Sequence, residues 1–168
     1  MADEPQASPV PLDGLDDSRK AFLTLLAGMS RTLNAYVPVV RPELYNDADV
    51  LAALRHRVVS QPKVRVQLLL PPAYAWRSAC PGLVRLNEQL TTALILRTPN
   101  REETPDQPQL GQGFLIADER ALLHLSDPRR LLGAYYPEPT GRTRELLNLF
   151  RGVWDRAQAD PELRRLGI

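Results

Sequence analysis

Apolar residues recur at helical spacing in four segments of the chain. Each stripe has the i, i+3, i+4 pattern of an amphipathic helix with one buried face. Asp47 is an N-cap candidate for the second segment, and Thr140 or Thr143 for the fourth. The stripes consist of Phe22, Leu25, Leu26, Met29 and Leu33; Val50, Leu51, Leu54 and Val58; Leu83, Leu86 and Leu90; and Leu146, Phe150, Val153, Trp154 and Ala157.

Between these helices lie short apolar runs that predict strands at residues 34–40, 64–70, 92–97, 113–117, 121–125 and 131–136. Pro38 cannot donate to a sheet ladder, so it indicates that its strand lies at an edge or contains a bulge. The last run is expected to form an edge strand. Helices alternating with strands, followed by strands in succession, predict an α/β fold with a layered mixed sheet and flanking helices.

Charged residues separate the runs 113–117 and 121–125, which predicts a β-hairpin with a turn at Asp118, Glu119 and Arg120. Residues 1–14 combine prolines and acids with few large apolar groups and are predicted to be a disordered tail. Residues 15–168 are then a single domain. A loop with three prolines at residues 98–110 is predicted to be mobile. Asp160 followed by Pro161 predicts a short final helical turn.

Composition narrows the functional classes. The chain of 168 residues is 43% hydrophobic and 24% charged, with a formal net charge of +1, which fits a globular domain and counts against a generally basic nucleic-acid binder. A single cysteine, Cys80, allows no intramolecular disulfide and no cysteine metal cluster, so we expect no metal and no cofactor. The chain shows no signal peptide and no membrane span, which predicts a soluble, cytoplasmic protein.

Few residues suggest chemistry by their pattern. His124, Ser126 and Asp118 lie close in sequence, but no oxyanion-hole motif precedes the serine, and Asp118 is better explained as a turn residue. Gly111 and Gly113 do not form a phosphate loop, because they lead into a strand. We interpret them as places where the backbone approaches a neighbouring element or a second subunit.

The aromatic residues fall into two groups. Tyr74 and Trp76, beside Arg77 in a proline-rich loop, could stack on a ligand ring, but a tryptophan in such a loop more often covers the core. Phe150 and Trp154 have helical spacing and are predicted to lie in the core.

The hairpin resembles the catalytic hairpin of the phospholipase D superfamily. That family places a His, a Lys two residues later and an Asp five residues further on, ahead of a Gly-Ser pair. Here Gly111 stands at the His position and Gly113 at the Lys position, while Asp118 and Ser126 match the Asp and the Ser. The resemblance implies that the domain is half of a phospholipase D-like fold, since catalytic members bring two such units together.

The C-terminal runs 150–154 and 160–166 are also similar to the tail of an uncharacterised bacterial domain family that is grouped with phospholipase D-like folds. Members of that family occur alone or beside an acetyltransferase domain. This resemblance implies an alternative role, in which the protein is a partner or regulatory module for an acetyltransferase.

The superfamily uses its His as a nucleophile and its Lys to bind phosphate, and a glycine supplies neither group. We therefore expect no phosphodiesterase activity, and the protein is interpreted as a non-catalytic binding or interaction module that forms a homodimer. Nucleic-acid binding through a local arginine patch and an enzyme with a remodelled site are further alternatives. The residues expected to line the degenerate cleft are Arg97, Gln112, Asp118, His124 and Ser126.

Overall fold

A computed structural model describes residues 8–100 and 108–165 of the chain. Seven strands form one mixed sheet with helices on both faces. The strands are β1 (Val10–Asp13), β2 (Thr32–Tyr36), β3 (Arg65–Leu69), β4 (Leu94–Arg97), β5 (Gly113–Ala117), β6 (Ala121–Asp127) and β7 (Leu132–Tyr136). The helices are α1 (Leu15–Gly28), α2 (Pro42–Tyr45), α3 (Ala48–Ser60), α4 (Pro81–Gln89), α5 (Gly141–Arg156) and α6 (Pro161–Arg165).

The sheet has the order β1-β7-β6-β5-β2-β3-β4. Strands β2, β3 and β4 are parallel, and helices connect them on one face, as a parallel crossover requires. Strands β5, β6, β7 and β1 continue the sheet in antiparallel order, and β5 joins the two halves by pairing with β2. The prediction of a layered α/β fold with a mixed sheet is confirmed.

Each face of the sheet buries its own apolar layer. On one face α1, α3 and α4 pack their predicted stripes against the sheet, with Leu26 fully buried. On the other face α5 places Phe150 and Val153 over Phe114 and Ile116. The sheet is therefore covered on both sides, which explains why β5 consists of five consecutive buried residues instead of alternating ones.

Helix starts follow the predicted caps. The Asp47 carboxylate accepts hydrogen bonds from the backbone N–H groups of Asp49 and Val50, both at 3.0 Å. Thr140 and Thr143 form a reciprocal capping box at the start of α5. The first helix is shorter than its stripe suggests, because α1 ends at Gly28 and Leu33 lies in β2.

Three predictions about the margins of the fold are wrong. Within the expected tail 1–14, residues 10–13 form β1, because they pair with β7 and bury Leu12; residues 1–7 lie outside the described residues. Strand β7 is not an edge strand, since β1 covers it. Pro38 marks no edge or bulge either, because β2 ends at Tyr36 and is central. Of the loop at 98–110, residues 101–107 lie outside the described residues.

Candidate ligand-binding cleft

The carboxyl ends of the three parallel strands meet at one edge of the sheet and open into a cleft of about 840 Å³. A proline follows each strand closely, at Pro38 after β2, Pro71 after β3 and Pro99 after β4. These prolines stop the strands at nearly the same level, because a proline cannot donate to the ladder. In open α/β sheets such a crevice outside the carboxyl ends of the strands is where ligands bind. The lining residues are Tyr36, Val37, Pro38, Leu69, Leu70, Pro71, Pro72, Tyr74, Thr98, Pro99, Asn100, Leu110, Gln158, Ala159, Asp160, Pro161 and Glu162.

Residues 158–162, after α5, form one wall of the cleft. The backbones of Gln158 and Thr98 exchange two hydrogen bonds, of 2.7 and 3.1 Å, which attach this segment to the end of β4. The Asp160 carboxylate accepts one hydrogen bond from the N–H of Glu162 at the start of α6 and another, of 2.7 Å, from the N–H of Ala73. The Asp-Pro pair thus caps α6, as predicted, and also ties the wall to the turn after β3.

The structure separates the two aromatic residues of the proline-rich loop. Trp76 is buried, and its indole N–H donates to the carbonyl of Pro71, so it covers the core. Tyr74 is 72% exposed and lies at the cleft. Arg77 approaches the Glu162 carboxylate at 3.9 Å. Tyr74 is therefore the aromatic side chain of this loop that is open to a ligand.

Asp118 lies in the hairpin turn and has a structural role. Its carboxylate accepts hydrogen bonds from the backbone N–H groups of Ser30, Arg31 and Thr32, at 2.9, 2.7 and 3.0 Å, and from the Ser30 hydroxyl. Partial burial raises the pKa of Asp118, but these hydrogen bonds outweigh burial and hold the pKa below its ordinary value. Asp118 therefore fixes the loop between α1 and β2 to the hairpin.

Gln112 and His124 are brought together at the opposite end of the hairpin. The ring Nε2 of His124 lies 2.8 Å from the side-chain oxygen of Gln112. Burial, and then the positive charge of Arg142, lower the pKa of His124, which favours its neutral form. With the ring neutral and Nε2 protonated, His124 donates to the Gln112 oxygen.

Arg97 and Ser126 have partners elsewhere. The Arg97 guanidinium lies 4.4 Å from the centre of the Trp154 ring and donates a 3.0 Å hydrogen bond to the Trp154 carbonyl, near the C-terminus of α5. The Ser126 hydroxyl donates to the carbonyl of Leu132 on the neighbouring strand. Both side chains stabilise contacts within the fold.

The five predicted site residues do not line one cleft, and none of them lines the cleft described above. Gln112 and Asp118 flank β5, so at about 3.3 Å per residue they are roughly 20 Å apart. Asp118 lies beside the first residue of β2, at the edge of the sheet opposite the cleft. His124 pairs with Phe114, four residues or about 13 Å along β5 from Asp118, so Asp118, His124 and Ser126 do not form a catalytic trio in this conformation.

Our interpretation of Gly111 and Gly113 as points of close approach to a neighbouring element is wrong. Among the described residues, a Cβ atom at Gly111 would meet no atom within 4 Å, and at Gly113 the nearest would be 3.6 Å away, an ordinary van der Waals distance. Packing within the described chain therefore requires neither glycine. An approach to a second subunit stays a prediction.

Residues 8–100 and 108–165 contain neither a metal-ligand cluster nor a membrane-spanning helix. No group of three or more His, Cys, Asp or Glu side chains in these ranges could hold a metal ion. No helix in these ranges is both long and apolar enough to cross a bilayer.

Sequence reasoning missed most of the cleft, and only Tyr74 of its lining was considered as a ligand contact. A usable signal was present, because three successive predicted strands each end close to a proline. Parallel strands ending together imply a shared edge. The contribution of residues 158–162 has no such local signal, since it depends on how α5 crosses the sheet.

Comparison with known proteins agrees with this architecture. No curated protein matches the chain. The structure of TrmBL2, an archaeal chromatin protein, is similar with a TM-score of 0.56 and 15% sequence identity, over 93% of this chain and 56% of that one. The chain thus spans just over half the length of TrmBL2, and at this identity the likeness shows the fold alone. A family profile described as a domain of unknown function (DUF7931) matches residues 14–166. The chain belongs to the DUF7931 family.

Proposed function

We propose that this DUF7931 chain is a non-catalytic binding module, built on a single phospholipase D-like unit, that holds a small ligand in the cleft at the carboxyl edge of β2, β3 and β4. The observation that carries the proposal is the cleft itself. Its volume of about 840 Å³ falls within the range of roughly 300 to 1,000 Å³ of small-molecule sites. Its position is the one that open α/β sheets use for ligands.

The interior of the cleft has the mixed character of a ligand site. Apolar surface comes from the five prolines of the lining, and polar groups come from Thr98 and Gln158. Tyr74 adds an exposed aromatic ring at the cleft. The ring offers a ligand a flat surface for stacking.

The non-catalytic part of the proposal is supported by the hairpin. Gly111 and Gly113 offer no nucleophile and no charge, and the Asp118 carboxylate is engaged by the loop before β2. We expect no hydrolysis of bis(p-nitrophenyl) phosphate above the buffer rate. Hydrolysis that copurifies with the protein and is lost in the Asp118→Asn variant would contradict this part.

The binding part is tested with ¹⁵N-labelled protein and a library of small fragments. Amide shifts caused by fragments are expected to cluster at Tyr74, Thr98 and Gln158. Tyr74→Ala is expected to weaken the binding of these fragments. The variant should still fold, because the side chain is exposed. Arg120→Gln, an exposed change at the hairpin turn, is the matched control. Shifts that cluster at Gln112 and His124 instead would overturn the assignment of the site.

Nucleic-acid binding is a second candidate, favoured by one observation: TrmBL2, whose fold is similar, is a chromatin protein that binds DNA. In this chain a smaller cleft of about 360 Å³ beside the hairpin turn contains Arg144 and Arg151. Arg151 forms an ion pair with Glu119, and Arg120 forms one with Glu138, which reduces the charge available to phosphates. We therefore rank this candidate below small-ligand binding.

A duplex labelled with fluorescein separates the two candidates. Phosphate-driven binding weakens steeply with salt. The leading proposal predicts no change in anisotropy at 150 mM salt with micromolar protein. Binding at that salt, weakened by Arg144→Gln and by further salt, would favour the nucleic-acid role. The homodimer and the acetyltransferase partner implied by the resemblance stay predictions.

A further inference from the structure

We infer that the cleft selects a small organic cation, such as an amine or guanidinium carried on a flat apolar body, and rejects anions including phosphates. This inference rests on the proposed function, because it names the ligand class of the same site. It differs from what a phospholipase D-like unit would suggest, since that chemistry requires a phosphate site.

The charge of the lining favours a cation. Two carboxylates, Asp160 and Glu162, lie on the wall formed by residues 158–162. Among the residues that the structure describes, no Lys, Arg or His lines the cleft. Arg77 approaches Glu162 at 3.9 Å from outside the lining, a distance too long for a hydrogen bond. The charged side chains that line the described part of the cleft are therefore both negative.

Several backbone positions of the lining offer no free N–H group, and such groups are what binds an anion where side-chain cations are absent. Five of the lining residues are prolines and have no N–H group: Pro38, Pro71, Pro72, Pro99 and Pro161. Three further lining N–H groups are already engaged. Val37 donates to the carbonyl of Leu69, Leu70 to that of Arg97, and Thr98 to that of Gln158. These backbone positions therefore offer no N–H group to an anion.

The aromatic ring of Tyr74 can also attract a cation. A cation placed over the face of a tyrosine ring is attracted by the ring quadrupole, and the attraction adds to that of a nearby carboxylate. Tyr74 and Glu162 both border the cleft and both are exposed. We expect a flat cationic ligand to contact these two groups while its apolar body covers the prolines of the lining. The volume commits the proposal to a small molecule, since about 840 Å³ accommodates one.

The test compares benzamidinium with benzoate, two probes of nearly equal shape and opposite charge, by ¹⁵N shift titration of the full chain. Benzamidinium is expected to shift the amides of Tyr74, Thr98 and Glu162 with saturation, and benzoate and inorganic phosphate are expected to shift none of them. Glu162→Gln is expected to weaken the binding of benzamidinium about fivefold, which is the effect of removing one charge near 4 Å in water. Tyr74→Ala is expected to weaken the binding of benzamidinium about threefold.

Arg77→Gln is expected to change the affinity for benzamidinium in the opposite direction. Removing the guanidinium beside Glu162 leaves that carboxylate free for the ligand, so benzamidinium should bind about twofold more tightly. All three side chains are at least partly exposed, so the variants should fold, and Arg120→Gln serves as the remote control. A gain with Arg77→Gln and a loss with Glu162→Gln together support the inference.

The outcomes separate the inference from the proposed function. Benzoate or phosphate binding in the cleft as well as benzamidinium would overturn the cation preference and leave the ligand site intact. If no probe shifts the cleft amides at millimolar concentration, and fragments also bind elsewhere, both the cation preference and the ligand site are overturned.

Discussion

Glycine stands at positions 111, 113 and 133, and these positions differ in the space available to a side chain. A Cβ atom at Gly133 in β7 would lie 1.8 Å from the carbonyl oxygen of His124, closer than any real contact. At Gly111 the same atom would meet nothing within 4 Å in the part of the chain that the structure describes. The close backbone approach is thus between β7 and β6, away from the two glycines that stand at the His and Lys positions of the hairpin motif.

Substitution by alanine checks this difference. Gly133→Ala should lower the free energy of unfolding by about 3 kcal/mol, because the strand pair must separate to admit the methyl group. Gly111→Ala and Gly113→Ala should each change it by less than about 1 kcal/mol. Urea denaturation of the three variants measures the effect. Equal losses at positions 111 and 133 would contradict the packing described.

Asp118 stabilises the folded chain through the charge of its carboxylate. Its pKa is lower in the folded chain than in the unfolded chain, so the stabilisation is fully present above the ordinary value of 3.8 and is lost as the pH falls through the folded pKa. Asp118→Asn keeps the positive φ that the turn requires but removes the charge. We expect it to cost about 1 kcal/mol at pH 7.

The pH dependence gives a second readout for the same substitution. Below about pH 4 the wild type should lose stability toward that of Asp118→Asn, and the two curves should converge. Thermal unfolding followed by circular dichroism between pH 7 and pH 3 measures both. A constant difference down to pH 3 would show that the carboxylate acts through shape instead of charge.

At the scale of elements, β1 shows how a short polar-looking segment becomes part of the sheet. It contains Pro11, which has no N–H, and lies at an edge, where a missing donor is tolerated. Leu12 is 4% exposed, whereas Val10 is 49% exposed. The strand is therefore attached by one buried side chain and by its pairing with β7.

Leu12→Ala should destabilise the chain by about 2 kcal/mol, because it removes buried methyl groups. Val10→Ala should change stability by less than about 0.5 kcal/mol, since that side chain is exposed. Guanidinium denaturation compares the two variants. Equal and negligible effects would return residues 10–13 to the tail that their composition suggests.

The elements that could be predicted from the sequence are those fixed by local patterns. Helix α4 follows from Pro81 and its apolar spacing, α3 from the Asp47 cap, and the hairpin from its charged turn. Strand β1 could not be predicted this way, because its partner β7 lies more than a hundred residues away in the chain. The same reason applies to Pro38, which indicated an edge or a bulge, whereas β2 is central and ends at Tyr36.

At the scale of the whole molecule, function depends on where the strands end. The hairpin carries the residues that attracted a functional reading, but its side chains serve the fold: Asp118 holds a loop, and His124 is paired with Gln112. The cleft is assembled from the ends of three parallel strands and from residues 158–162, which no single stretch of sequence contains. The prolines after three successive strands indicate a shared edge, but the contribution of residues 158–162 could be located only from the fold.

A crystal structure of the chain soaked with small fragments tests the central claim most directly, namely that the carboxyl edge of β2, β3 and β4 is the ligand site. The account predicts fragment density in the cleft, against Tyr74 and between Thr98 and Glu162, with cationic fragments preferred. Fragments bound around Gln112 and His124, with the cleft empty at saturating concentrations, would contradict it.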